Sequence, residues 1–336
     1  MRVTILGAGV AGLTAATELV ARGVDVEIVE RGPAPGAQSC SWYAGGMLAP
    51  ECEADLAEPI VVELGREALA WWQKYVPQLI KRNGSIVVSA GRDRNELKRF
   101  ASRTNQHQML DQEALLALEP DLGDRFSEAL YFEHEAHMDP RAALVGLTEY
   151  LKERGALFHY GAMLEDVVPG DKIIDARGLA ARDCLPQLRG VRGEMLVVKC
   201  DDVQLNRPVR LAHPRFPVYI VPRGEGHFMI GATQIESERQ GGISAKSMVD
   251  LINAAYAVHP AFAEAEIIET GAELRPAFPD NLPRVNWVED RLHVNGLFRH
   301  GYLLSPACAR MAADILMRSN NKAEFMDEDH NQWATA

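Results

Sequence analysis

Three glycines near the start of the chain, Gly7, Gly9 and Gly12, followed by Ala16 and by Glu30 eighteen residues after Gly12, have the types and spacing that bind a dinucleotide. The chemistry is recognition of two phosphates and a ribose. Gly7 permits a tight turn, Gly9 lets a pyrophosphate approach the backbone, and Gly12 with Ala16 lets a helix lie close on a sheet. The phosphates then sit over a helix N-terminus, where unpaired N–H groups and the dipole favour an anion. Glu30 is placed to meet a ribose hydroxyl. The elements that must position these residues are legible around them. Val3-Thr4-Ile5-Leu6 reads as a buried strand, the stretch after Gly9 as a helix, and Val26-Glu27-Ile28-Val29-Glu30 as a second strand ending in the acid.

The rest of the composition narrows the functional class. A chain of 336 residues with 47% hydrophobic and 24% charged residues can hold two domains with real cores. A net charge of -12 with no basic cluster argues against a nucleic-acid partner. The five cysteines include no CxxC pair, so neither a zinc site nor a disulfide framework is expected, and a reducing compartment follows. With a strand beginning at residue 2 and no run of 18 apolar residues, neither a signal peptide nor a membrane span is expected, which points to the cytoplasm.

Further along, Gln38 to Pro50 is rich in small residues and hydroxyls that could approach a second part of a ligand, with Trp42, Tyr43 and Met47 as pocket walls or plain packing. Pro59 can open a helix, and Leu64, Ala68, Trp71, Trp72, Tyr75 and Leu79 recur at helical spacing. Asp111 and Asp139 read as helix caps, and Ser244 as another. His134 and His137 are three apart with Asp139 close by, a spacing that could suit a metal, but with no further ligand group evident they read as solvated loop histidines. Short strands are expected at Phe158, Val167-Val168 and Ile173-Ile174-Asp175. From Gly193 the pattern is a run of strands, including a hairpin turning at Arg223-Gly224-Glu225-Gly226. Pro306 is expected to begin a last helix, and residues 319–336 to form a polar, frayed tail.

This order predicts an α/β chain, α+β overall, of two interleaved units. A Rossmann-type nucleotide domain takes residues 1–84, 140–190 and 276–318, and an antiparallel-sheet substrate domain takes residues 85–139 and 191–275. A ligand is expected between them.

The fingerprint, together with Gly45-Gly46-Met47-Leu48-Ala49-Pro50, Gly193-Glu194-Met195, Tyr219-Ile220-Val221-Pro222-Arg223, Gly231-Ala232-Thr233, Glu273-Leu274-Arg275-Pro276 and Phe298-Arg299-His300-Gly301-Tyr302-Leu303, resembles the D-amino-acid-oxidase-type flavoproteins. Among these the chain is most similar to the glycine oxidases of thiamine biosynthesis. The resemblance implies noncovalently bound FAD, a small amino-acid substrate, and O2 as the acceptor that is released as H2O2. It also implies a link to the thiazole synthase machinery and leaves a homo-oligomer open. It places Gly7, Gly9, Val10, Ala11 and Gly12 on the FAD pyrophosphate, Glu30 and Arg31 at the adenosine ribose, and Cys40, Ser41, Gly45, Gly46 and Met47 along the phosphates and flavin ring. Val167 would touch the adenine region, and Leu297, Phe298, Arg299, His300, Gly301, Tyr302 and Leu303 would border the flavin's pyrimidine side. Arg275 matches the arginine that pairs with the substrate carboxylate, Tyr219 a tyrosine that adds a hydrogen bond, and Arg299 an arginine whose carbonyl can receive the amine.

The residues themselves are compatible with that chemistry. A planar guanidinium can grip a carboxylate through two charge-assisted hydrogen bonds. A surface or interdomain ion pair is the other reading of Arg275 and Arg299, and packing that of Tyr219. Two departures from the family stand out: Pro217 where glycine oxidases often carry histidine, with His213 nearby, and Asp175-Ala176-Arg177-Gly178 in place of a small apolar turn. Cys308 reads as a packing residue and not as a flavin attachment point. The same chemistry on sarcosine, a D-amino acid or another small amine remains open, as does a dehydrogenase with another electron acceptor. A flavoprotein that modifies a partner protein is the reading from a different class.

Overall fold

The computed structural model describes residues 1–36, 39–215 and 217–317. The polar stretch beyond Ser319 lies outside them. Two large sheets carry the architecture. The first has six strands in the order Arg284–Val288, Arg291–Asn295, Lys172–Asp175, Arg2–Leu6, Asp25–Glu30, Leu157–Tyr160. Its pairings are parallel except at the edge between Arg284–Val288 and Arg291–Asn295. Helices Val10–Ala21, Pro140–Glu153 and Gly301–Leu316 pack on it, through Leu13, Leu19, Leu144, Leu147, Leu304 and Met311 among others. Such a sheet, covered on its faces, needs strands apolar on both sides, and residues 3–6 are buried throughout.

The second sheet has eight strands in the order Glu266–Ala277, Arg189–Lys199, His227–Gly231, Val218–Gly224, Val209–Leu211, Ser85–Val88, Glu128–Phe132, Gln108–Asp111. It is antiparallel apart from the pairing of Val209–Leu211 with Ser85–Val88. The expected hairpin turn is present, with Glu225 and Gly226 both at positive φ, as a tight connection between twisted strands requires. Three caps form as the sequence indicates: Asp111, Asp139 and Ser244 each accept backbone N–H groups of the helix that follows.

Four expectations are corrected. The last helix begins at Gly301, and Pro306 lies inside it. The aromatic stripe after Pro59 is carried by two helices, Pro59–Gly65 and Glu67–Tyr75; at their junction a side chain on Gly65 would sit 2.9 Å from Leu303 Cγ, so the last helix approaches too closely for anything larger. Val167-Val168 is not a strand but irregular chain after Leu164–Asp166, with Val168 79% exposed. His137 is not solvated. It is 1% exposed on a two-residue strand paired with Met47–Leu48, and burial beside Lys81 and Arg223 pushes its imidazole down to about 3, so it stays neutral.

Candidate active site

The two sheets flank a cleft of about 1890 Å³ that begins at the glycine turn after the first strand. Gly7 holds φ +98, and a Cβ there would come 2.7 Å from the Ala176 carbonyl oxygen, so only glycine lets the first strand's turn lie against the end of strand Lys172–Asp175. Gly12 does not reach the cleft. A Cβ on it would strike the Gly7 carbonyl oxygen at 1.9 Å, so it lets the first helix pack closely on the glycine turn.

Two helix N-termini open onto this space. Gly9 leads the first helix and His300 the last; neither start carries a side-chain cap or an acidic residue in its first turn. Gly9, Val10, Ala11, His300, Gly301, Tyr302 and Leu303 all line the cleft. Helix N-termini that open onto one cavity, with no cap from their own N-cap side chains, favour negative charge there. Ser41 Oγ accepts the Val10 N–H at 3.1 Å, tying the hydroxyl-rich stretch to the first of these N-termini. Glu30 also lines the cleft; its oxygens accept Ala8 N–H and Gly32 N–H, each at 2.7 Å, which aims the carboxylate and leaves lone pairs for ribose hydroxyls. Arg31, Cys40, Gly45, Gly46, Met47, Leu297, Phe298 and Arg299 complete the expected lining. Burial pushes the Cys40 thiol up to about 11, so it faces the cavity as a neutral thiol. These residues fit an FAD. Val167 and Trp42 do not line the cleft; near Val167 the wall is Ala162, Met163, Leu164 and Glu165.

At the other end the cleft meets the second sheet. Arg275, on strand Glu266–Ala277, donates to the Thr233 carbonyl at 3.0 Å and has no acidic partner among the described residues. Burial, with Arg299 beside it, pulls its guanidinium down to about 10, still cationic at neutral pH. The space for it comes from Gly193 on the neighbouring strand, where a Cβ would lie 2.2 Å from Arg275 Nη2.

Tyr219 and Arg299 meet on a residue that sequence reasoning missed. Glu53, at the end of the helical turn Pro50–Glu53, accepts the Tyr219 hydroxyl on Oε1 at 3.1 Å and pairs with Arg299 Nη2 through Oε2 at 2.9 Å. Its carboxyl is held down at about 2: burial opposes ionisation, and Arg299, His300 and Arg210 outweigh it. Arg210, also missed, is 1% exposed and donates to Tyr219 Oη at 3.1 Å. Burial pulls the His300 imidazole down to about 4, and its Nδ1 lies 3.7 Å from Glu53. A signal for Arg210 was available, since an arginine between Val209 and Leu211 in an apolar strand demands a buried partner. Nothing in the acidic run around Glu53 distinguishes it from a solvated loop. Pro217 lines the cleft, whereas His213 does not; its Nδ1 accepts the Arg215 N–H.

The departed turn has its own chemistry. Asp175, Cys184 and His293 bring ligand atoms within 4.8 Å of one another. Arg177 already grips Asp175 through Nε and Nη2, and Arg291 Nη1 stands 3.7 Å from it. Two guanidinium charges at the ligand oxygen oppose a cation there.

Comparison with known proteins agrees with this fold. A Rhizobium etli protein named "Putative thiamine biosynthesis oxidoreductase ThiO" is 51% identical over 324 residues, covering 96% of this chain and 99% of its own length. A Pseudomonas aeruginosa glycine oxidase is 29% identical, covering 94% of each chain. The crystal structure of glycine oxidase from Geobacillus kaustophilus shares the fold, with a TM-score of 0.80 over 97% of this chain and 96% of that one at 21% identity. The profile of the DAO family, described as FAD dependent oxidoreductase, matches residues 2–315. Nearly the whole chain falls within that match, and the protein belongs to the DAO family of FAD-dependent oxidoreductases.

Proposed function

We propose that the protein oxidises glycine at its Cα–N bond, converting glycine and O2 to iminoacetate and H2O2, and that the imine is hydrolysed to glyoxylate and ammonia or passed to thiazole assembly. The observation that carries this reading is that the cationic Arg275, without an acidic partner among the described residues, and the anionic Glu53 both line the cleft, a set of charges that suits a zwitterion. FAD, when bound noncovalently, supplies the two-electron acceptor. Arg275 takes the substrate carboxylate and fixes Cα, and such positioning contributes on the order of 7–11 kcal/mol to lowering a barrier. Arg299 is committed to Glu53 by its side chain, which leaves its backbone carbonyl and Glu53 to receive the amine.

Glu53 acts as counter-ion and not as base. A carboxyl held at about 2 is far too acidic to take a proton from an ammonium, so that proton leaves to solvent. Met47, Tyr43 and Tyr219 line the cavity nearby and favour a small side chain. The name of the Rhizobium etli relative supports the thiamine pathway as the destination. The test is anaerobic addition of glycine to the yellow holoenzyme, followed by a peroxide assay across small amines. Rapid bleaching with glycine is expected. Faster turnover of sarcosine or a D-amino acid would reassign the substrate, and no bleaching with any free amino acid would favour a protein partner.

A further inference from the structure

The helical turn Pro50–Glu53 is too short to hold itself. It has four residues, and its N-cap, Ala49, has no side chain to bond the free N–H groups. Two buried charged groups from distant segments supply what it lacks. Glu135, 2% exposed between strands Glu128–Phe132 and Ala136–His137, accepts the Cys52 N–H on Oε1 at 2.7 Å and the Ser85 hydroxyl on Oε2. Arg210 donates to the Cys52 carbonyl at 3.0 Å and reaches Asp55 at 3.3 Å. Both backbone groups of the residue that precedes Glu53 are therefore fixed, one by a buried acid and one by a buried base.

We propose that Glu135 is a positioning residue for the amine oxidation: through the Cys52 N–H it holds the turn that presents Glu53 to the substrate ammonium, and its ionisation sets how firmly. The inference rests on the reading of Glu53 as the ammonium's counter-ion. The groups that face Glu135 are Ser85, the Cys52 thiol and the Glu53 carboxylate, with Tyr219 and Arg210 beyond them. Burial, with a smaller push from Glu53, raises the Glu135 carboxyl to about 7, while the bonds from Ser85 and Cys52 oppose the rise. Above that pH it is an anion, and a charge-assisted bond to the Cys52 amide is roughly twice as strong as a neutral one. Glu53 does not titrate in this range, so it is not the source of a change there, and the Glu135 variant assigns that change.

The experiment compares holoenzymes of the wild type, Glu135→Gln and Ser85→Ala, following KM and kcat for glycine across neutral pH. In the wild type KM should fall several-fold, on the order of tenfold, as pH rises through about 7. Glu135→Gln keeps the acceptor but cannot ionise, and its KM should be flat over that range, with the effect larger on KM than on kcat. Ser85→Ala removes a bond that favours the charged form, so the step should move to higher pH; this variant decides the matter if Glu135→Gln does not retain flavin. An unmoved step in the variants overturns the role of Glu135 while glycine oxidation stands. A wild type that oxidises no small amine overturns both.

Discussion

The indole Nε1 of Trp72 donates to the backbone carbonyl of Tyr302 at 2.9 Å. That carbonyl is the one Pro306 leaves free, four residues on, because proline has no N–H to close the helical bond. The proline is thus tolerated inside a buried helix by an outside donor, and the same helix keeps its N-terminus on the cleft. Trp72→Phe retains most of the packing and removes the donor. It should lower stability by about 1–3 kcal/mol, read as a shifted denaturation midpoint of the holoenzyme with little change in kcat.

Arg275→Ala should raise KM for glycine by roughly 10²-fold, the consequence of losing about 3 kcal/mol of buried, charged hydrogen bonding. Arg275→Lys should recover only part of this, because an ammonium cannot present a planar fork. A carboxylate ligand without an amine, such as acetate, isolates the guanidinium. Its affinity, followed by flavin absorbance, should be constant through neutral pH and fall as pH rises through about 10. An unchanged KM in Arg275→Ala would remove this residue from the substrate's reach.

Gly7→Ala would force a side chain into a backbone at φ +98 and 2.7 Å from the Ala176 carbonyl oxygen. A cost of roughly 1–3 kcal/mol is expected, together with weaker flavin retention, measured as the ratio of flavin to protein absorbance after gel filtration. Gly23, with φ +78 but nothing within 4 Å of an added Cβ, is the control: alanine there should strain the turn without loosening the cofactor.

Glu53 and acid stability form the last prediction. Its carboxyl is held at about 2 in the folded chain against an ordinary 4.5, so its stabilising contribution is present above 4.5 and is lost as pH falls toward 2. Glu53→Gln should flatten that part of the stability curve. It should also lower stability near neutrality, since Arg210 and Arg299 lose their counter-charge. Urea unfolding at several acid pH values checks both.

Much of this was legible in the residues themselves. The glycine fingerprint, the strand ends and the three acid or hydroxyl caps are local signals, each set by one turn of backbone, and each formed where its spacing indicated. That Arg275 would stand in the cleft was legible through the motif around it. Glu53 and Glu135 were not, because their meaning depends on distant partners: Glu135 on Cys52, 83 residues away, and Glu53 on Tyr219, 166 residues away. Arg210 showed only as a charge in an apolar strand; its partner, the Cys52 carbonyl, lies 158 residues away. His137 failed for the same reason; its exposure is decided by the strand Met47–Leu48 that covers it. Pro306 misled because the rule that proline opens a helix assumes no donor elsewhere can replace the missing bond.

The phenol of Tyr302 donates to the carbonyls of Ser41 and Pro140, at 3.1 and 3.0 Å, and so staples together an early loop, a middle helix and the final one. During synthesis the nucleotide cradle therefore stays half-built until the last of these leaves the ribosome. A nascent chain that stops short of Gly301 should capture no flavin, however well its first strands have folded.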